Sequence, residues 1–93
     1  QLTTQGIVAT MRSNKNGYYY QGKKVLIKRG RRIVGRGVVV NIYPNTKLNR
    51  EKLVRISGFT SVREWEEEAR RLHGRLPDSI IVVKLLKLRS QLF

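Results

Sequence analysis

Arg29, Arg31, Arg32 and Arg36 fall within one eight-residue stretch, with Lys28 just before them. A guanidinium is planar, stays charged and offers five N–H donors in a fork that fits a phosphate bidentately. Clustered at a hairpin tip and a bend, such groups reach a phosphate backbone without disturbing a core. The ordinary alternative is a solvated hairpin or a localisation signal. Tyr18-Tyr19-Tyr20 lies between Lys15 and the Lys23-Lys24 pair. Aromatic faces interleaved with cations suit single-stranded or splayed bases, which stack while their phosphates meet ammonium groups. In an extended segment Tyr18 and Tyr20 share a face and Tyr19 opposes them, so at least one ring is expected in the core. Thr10 and Arg12 share a strand face, and a hydroxyl beside a guanidinium can hold an anionic or carbonyl group. An outward strand face is the commoner meaning of such a pair.

Other reactive side chains carry no site. His73 follows a helical stripe and suits a helix C-terminus, where a cation or capping donor is favoured. Trp65 belongs to the core by its place on that stripe. Glu66-Glu67-Glu68 cannot converge on a metal, because consecutive helical residues point about 100° apart; they read as a solvated face. The absence of cysteine excludes disulfides, thiolate metal sites and cysteine nucleophiles. Gly30, Gly35 and Gly37 match neither the Walker nor the dinucleotide-binding spacing. No metal and no cofactor are expected.

These groups need a scaffold. Residues 6–12 alternate as a strand, with Ile7, Ala9 and Met11 on one face and Val8, Thr10 and Arg12 on the other. Ser13-Asn14-Lys15-Asn16-Gly17 is a turn signal, and Gln21-Gly22 is another. Residues 23–29 predict a second strand, with Gly30-Arg31-Arg32 as its hairpin connection. Residues 33–43 predict a third, in which Gly35-Arg36-Gly37 marks a bulge or sharp bend. Asn49 is the expected N-cap of a short helix reaching Ile56, closed by Gly58. Ser61-Val62-Arg63-Glu64 matches a capping box. The helix behind it buries Val62, Trp65, Ala69 and Leu72, and carries Glu66–Arg70 and Glu67–Arg71 as i,i+4 pairs. Gly74 ends it. Residues 80–88 form a last strand, apolar on both faces at Ile80-Ile81-Val82-Val83 and therefore central. The order β-β-β-α-α-β predicts an α+β fold: a small β-barrel with two helices inserted before the last strand.

The chain has 93 residues, enough for one domain spanning 1–93 with one modest core. Lys plus Arg is 20 and Asp plus Glu is 6, a net charge of +14. Thirteen of the cations and one acid, Glu51, lie between Arg12 and Arg55, whereas four acids lie between Glu64 and Glu68. Such a separated field calls for an anionic partner. RNA is the expected one, with DNA second because phosphate attraction is not selective. No apolar run approaches the ~18 residues of a membrane helix, and no membrane role is expected. The first twelve residues show no cleavable signal, and the lack of cysteine fits a reducing cytoplasm.

Several stretches in order resemble the ASCH domains of the PUA-like superfamily, especially short stand-alone archaeal ones. They are Ala9-Thr10-Met11-Arg12, the strand from Gly22 to Ile27, the basic hairpin and the Gly-rich third strand. Ser57-Gly58-Phe59-Thr60-Ser61-Val62-Arg63-Glu64-Trp65 and Arg71-Leu72-His73-Gly74 follow. The resemblance covers nearly the whole chain. It implies a PUA-like barrel, a cleft between barrel and helices, and an RNA-linked role. One branch of that family resembles amidohydrolases of an acetylated cytidine nucleoside, which use a Lys, Thr and Glu set. Its Thr corresponds to Thr10, before Arg12. Its Lys and Glu positions hold Ile7 and Ser57, which supply neither an activated amine nor a general base.

The expected function is a non-catalytic RNA-binding module. Its contacts are Arg12, Lys15, Tyr18, Tyr19, Tyr20, Lys23, Lys28, Arg29, Arg31, Arg32 and Arg36. One alternative is an ASCH-type enzyme, a ribonuclease or nucleoside amidohydrolase, with Thr10 and Arg12 as its catalytic candidates. Another is a structural component of a ribonucleoprotein. Oligomeric state is left open by the sequence.

Overall fold

The computed structural model describes residues 6–29 and 32–88. Its elements run β1 (Ile7–Arg12), β2 (Lys24–Arg29), β3 (Arg32–Pro44), α1 (Lys47–Leu53), a 3-10 turn (Val54–Ile56), α2 (Val62–His73) and β4 (Ser79–Leu88). All pairings are antiparallel, in the order β1-β4-β3-β2. The fold is α+β with one four-stranded sheet. Its two ends are β1 and β2, and the sheet is not closed.

The last strand is central, as its apolar run requires. Ile80 and Val82 face the helices, while Ile81 and Val83 face the other way, and all four are buried. Burying each such side chain contributes about 1.5–3 kcal/mol relative to leaving it in water. On the helix side Ala9, Met11, Trp65 and Ala69 complete a cluster, with Leu53, Ile56 and Phe59 packed on it. On the opposite side Val39, Ile81 and Val83 gather Val8, Tyr19, Val25 and Ile27. The alternation expected for residues 6–12 is therefore present, with Ala9 and Met11 on the helix side and Val8 on the other.

Three irregularities bend the sheet: between Ile27 and Lys28, between Arg36 and Gly37, and between Val39 and Asn41. The second falls in the Gly35-Arg36-Gly37 segment. A Cβ on Gly37 would collide with Val83 Cγ1 and stand 3.1 Å from the Lys84 carbonyl oxygen. Gly37 thus permits β3 to lie close on β4 where the register slips.

The helices differ from expectation in four details. The N-cap of α1 is Thr46, whose hydroxyl accepts from the Asn49 N–H at 3.1 Å. Asn49 lies inside the helix and its amide donates to the Pro44 carbonyl instead. Leu72, expected on the buried stripe, is 60% exposed, and the buried residues of α2 are Trp65 and Ala69. Glu66 pairs with Arg50, Glu67 with Arg63, and Glu68 with Arg71. Neither expected pair forms, since Glu66 faces α1 and Glu67 reaches back one turn. The acidic run is therefore not one solvated face. Ser61 does cap α2, accepting from the Glu64 N–H, but the Glu64 carboxylate returns to the Thr60 N–H at 3.0 Å. Gly74 closes α2 in the left-handed conformation. No described helix is long and apolar enough to cross a membrane.

Candidate nucleic-acid interface

The three tyrosines lie in a loop between β1 and β2, not in a strand. Gly17, with a positive φ, closes the turn begun at Asn14. The Asn14 side chain then clamps the loop from within. Its Oδ1 accepts from the Tyr19 N–H at 2.7 Å and its Nδ2 donates to the Tyr19 carbonyl at 3.1 Å. The loop is fastened to the sheet by Gly22 N–H to the Val39 carbonyl and by Val39 N–H to the Lys23 carbonyl. Tyr19 is half-buried against the Val39 cluster, while Tyr18 and Tyr20 are 56% and 59% exposed. Tyr18 and Tyr19 meet edge to face at 4.9 Å. Lys23 Nζ stands 3.4 Å from the Tyr18 ring centroid and 5.5 Å from that of Tyr20. Two exposed rings thus share one cation on a braced loop.

A cleft of about 290 Å³ opens beside this loop. Thr10 and Arg12 from β1, Tyr19, and Val25 and Ile27 from β2 line it, with Ile81 and Val83 behind them. In a flat sheet β1 and β2 would lie about 14 Å apart, three strand spacings. Their sharing one cleft requires a strongly curled sheet. Arg12 is half-buried, and its Nη1 donates to the Met11 carbonyl at 2.7 Å. Ser57 also lines the cleft, but its hydroxyl donates to the Val54 carbonyl at 2.6 Å and accepts from the Phe59 N–H at 3.1 Å. It ties off the 3-10 turn. Ile7 sits on the opposite face of β1 from Thr10, since three residues along a strand invert the face.

The acids of α2 and Asp78 at the loop's root are occupied, whereas Glu51 of α1 is exposed and makes no ion pair among the described residues. Arg50 Nε donates to Glu66 at 2.7 Å, and its Nη1 reaches the Asn45 side chain at 2.8 Å. Glu64 caps Thr60, and Glu67 and Glu68 hold arginines on their own helix. The Arg71 guanidinium holds the Glu68 carboxyl below its ordinary pKa. Asp78 accepts from the Asn14 N–H at 2.9 Å and from the Ser79 hydroxyl at 2.8 Å. The first of these bonds, then the second, keeps its carboxyl below the usual range. Among the described residues, Lys15, Lys24, Arg36 and Lys84 are exposed and make no ion pair.

Of the expected contacts, the structure brings Tyr18, Tyr19, Tyr20 and Lys23 together on the loop and sets Arg12 in the neighbouring cleft, with Lys15 on the turn. Arg36 lies on β3 and belongs to a different face. Lys28, Arg29 and Arg32 are placed as strand backbone, their side chains lying outside the described residues, as do Gly30 and Arg31. Lys24 and Lys84 were missed among the expected contacts. The alternation of β2 and β4 puts each on a strand face, but nothing local pairs them. Among the described residues, no three His, Asp or Glu gather as metal ligands.

No family model matches the chain. No solved structure matches it at a significant level. A viral protein does, named "Uncharacterized protein 105" of Sulfolobus islandicus rod-shaped virus 1. The two are 42% identical over 74 residues, which is 78% of this chain and 67% of the viral one.

Proposed function

We propose that this chain, which belongs to the same family as protein 105 of the rod-shaped virus, is a non-catalytic RNA-binding module. The observation that carries this reading is the separation of charge. The carboxylates of α2 and of Asp78 are held by partners inside the fold, while among the described residues Lys15, Lys24, Arg36 and Lys84 of the loop and sheet make no ion pair, and neither do Lys47, Lys52, Arg55, Arg70 and Arg75. A field of +14 left in that state repels itself until a polyanion offsets it. The exposed Tyr18 and Tyr20 rings favour RNA with unpaired bases, which offers π-faces that a stacked duplex withholds. We assign the finer architecture to the PUA-like type of the ASCH domains. The curl that brings β1 and β2 to one cleft supports it.

A second reading has one observation in its favour, the cleft holding Thr10 and Arg12. In it the protein is an ASCH-type ribonuclease or nucleoside amidohydrolase. Against it stand Ser57, whose hydroxyl is engaged, and Ile7, which offers no amine.

The test is fluorescence anisotropy with labelled single-stranded RNA, duplex RNA and duplex DNA across a salt series, with each probe checked for cleavage. Neutralising about six phosphates gives a single-strand slope of log K against log salt near −4. A flat dependence overturns the binding reading. Cleavage that disappears in Thr10→Ala installs the enzymatic one.

A further inference from the structure

We infer that a second surface, the end of the sheet that the helices leave uncovered, grips the phosphodiester backbone of the bound RNA without reading its bases. This rests on the RNA-binding reading and adds three cations, Lys24, Arg36 and Lys84, that line neither the tyrosine loop nor the cleft, although Leu26 beside them borders the cleft.

The placement follows from register. Lys24 lies opposite Val38, Val38 opposite Lys84, and Lys84 opposite Ile7, one continuous row across all four strands. In the next row Leu26 lies opposite Arg36. Val82 and Ile80 share this face of β4 with Lys84 and are buried beneath the Trp65 cluster. Lys84 is exposed, so the helical cover stops between Val82 and Lys84. Lys24, Arg36 and Lys84 therefore project from three adjacent strands onto one open face.

Their spacing sets what they can hold. Lys24 and Lys84 flank the same residue of β3 and stand about 10 Å apart at the backbone, two strand spacings. Arg36, two residues along β3, is about 8 Å from each. All three lie within about one Debye length at 0.1 M salt, so they repel one another until an anion enters. They make no ion pair among the described residues. The remaining described positions here are aliphatic: Ile7, Val38 and Leu26, the last 55% exposed. These can support cationic stems and sugar edges. No aromatic residue lies in either row, so bases find nothing to stack on. Contacts to phosphate alone position a nucleic acid without specifying its sequence. Along the first row the aliphatic residues alternate with cations, which favours a nucleic-acid backbone over a lipid surface even with Leu86 exposed two residues beyond Lys84.

The experiment compares the whole protein with two triple variants of equal charge loss. One is Lys24→Gln, Arg36→Gln and Lys84→Gln; the other is Arg63→Gln, Arg70→Gln and Arg75→Gln, on and just beyond α2. In anisotropy with an unstructured RNA, the sheet variant should lose about 2 from the salt slope, at 0.7 per phosphate contact for single strands. It should bind at least tenfold more weakly at low salt and melt no lower than the unmodified protein. The α2 variant should change far less. Equal changes in both overturn the inference, because only net charge would then matter. Independently, Lys24 and Lys84 of the unmodified protein should be shielded by RNA from an amine-acylating reagent, relative to Lys47. Equal labelling of all three with and without RNA also overturns it. Loss of binding to phosphatidylserine vesicles in the sheet variant, with RNA binding intact, overturns it in favour of a bilayer. If the unmodified protein binds no nucleic acid, the RNA-binding reading itself fails. If it binds and the sheet variant matches it, this face alone is wrong.

Discussion

Lys23 Nζ lies over the Tyr18 ring, 3.4 Å from its centroid, and donates a 2.9 Å hydrogen bond to the Tyr18 carbonyl. The ammonium therefore fixes the loop that presents the rings, and only part of its charge remains open to a ligand. A cation over an exposed ring contributes about 0.5–1 kcal/mol. This arrangement separates two roles that the sequence presents as one basic-aromatic run.

Tyr18→Ala with Tyr20→Ala should weaken binding to single-stranded RNA by about 1–3 kcal/mol for each stacked base. Duplex RNA, whose bases stay stacked, should lose little. Lys23→Met should instead speed amide exchange at Tyr19, as the loop loosens. Anisotropy and exchange NMR read the two effects. Equal losses on single-stranded and duplex probes would remove stacking from the account.

Arg50 joins α1 to α2 through Glu66 and reaches the end of β3 through Asn45. Both charged side chains of the pair are mostly buried. Arg50→Met leaves Glu66 without its cation and should destabilise the fold by about 1.5–3 kcal/mol, the worth of hydrogen bonds to a charged group. Arg63→Met breaks an exposed pair and should cost less than about 1 kcal/mol. Urea titrations of both variants give the comparison. Equal midpoints would place the structural weight elsewhere.

Gly37→Ala should destabilise by about 1–3 kcal/mol, the usual penalty of overpacking. The added methyl meets Val83 and the Lys84 backbone, and backbone cannot swing aside. The same substitution at Gly17 meets no neighbour but forces a positive φ. Thermal melts that leave Gly37→Ala unchanged would show that β3 and β4 can separate at the bulge.

The Asp78 carboxylate holds the root of the tyrosine loop through the Asn14 N–H, and its folded pKa is depressed by that bond first and by the Ser79 hydroxyl second. A depressed carboxyl contributes stability above its unfolded value, near 3.9, and loses it as pH falls through the folded value. Loop docking should therefore be constant above about pH 5 and weaken only below about pH 4. The Asn14 amide shift, followed by NMR, should titrate in that acid range. Asp78→Asn should abolish the titration. A transition centred above pH 5 would assign it to another group.

Much of the scaffold is legible in the residues alone. The period-2 pattern of 6–12 marks a strand, and the doubly apolar run at Ile80 marks an inner one. Ser61 and Gly74 bracket α2, and Trp65 with Ala69 marks its buried stripe. These signals are local: each depends on neighbours within a turn or a pleat. Thr46 rather than Asn49 as the cap of α1 shows their limit. Both residue types can cap; in the fold the Thr46 hydroxyl accepts from the Asn49 N–H and the Asn49 amide turns to the Pro44 carbonyl.

The candidate site is less legible, because it depends on which strands lie side by side. The residues alone establish a cationic, cysteine-free chain, its tyrosine run, its element order and which strand residues share a face. Tertiary structure decided that Lys84 joins Lys24 and Arg36 around Val38, that Glu66 turns to Arg50, and that Thr10 and Tyr19 share a cleft. The physical reason is that alternation fixes the face of a side chain relative to its own strand alone. The antiparallel register of β2, β3 and β4, with the slips at its bulges, fixes which distant residues become neighbours, and the reach of the helices fixes which of them meet water.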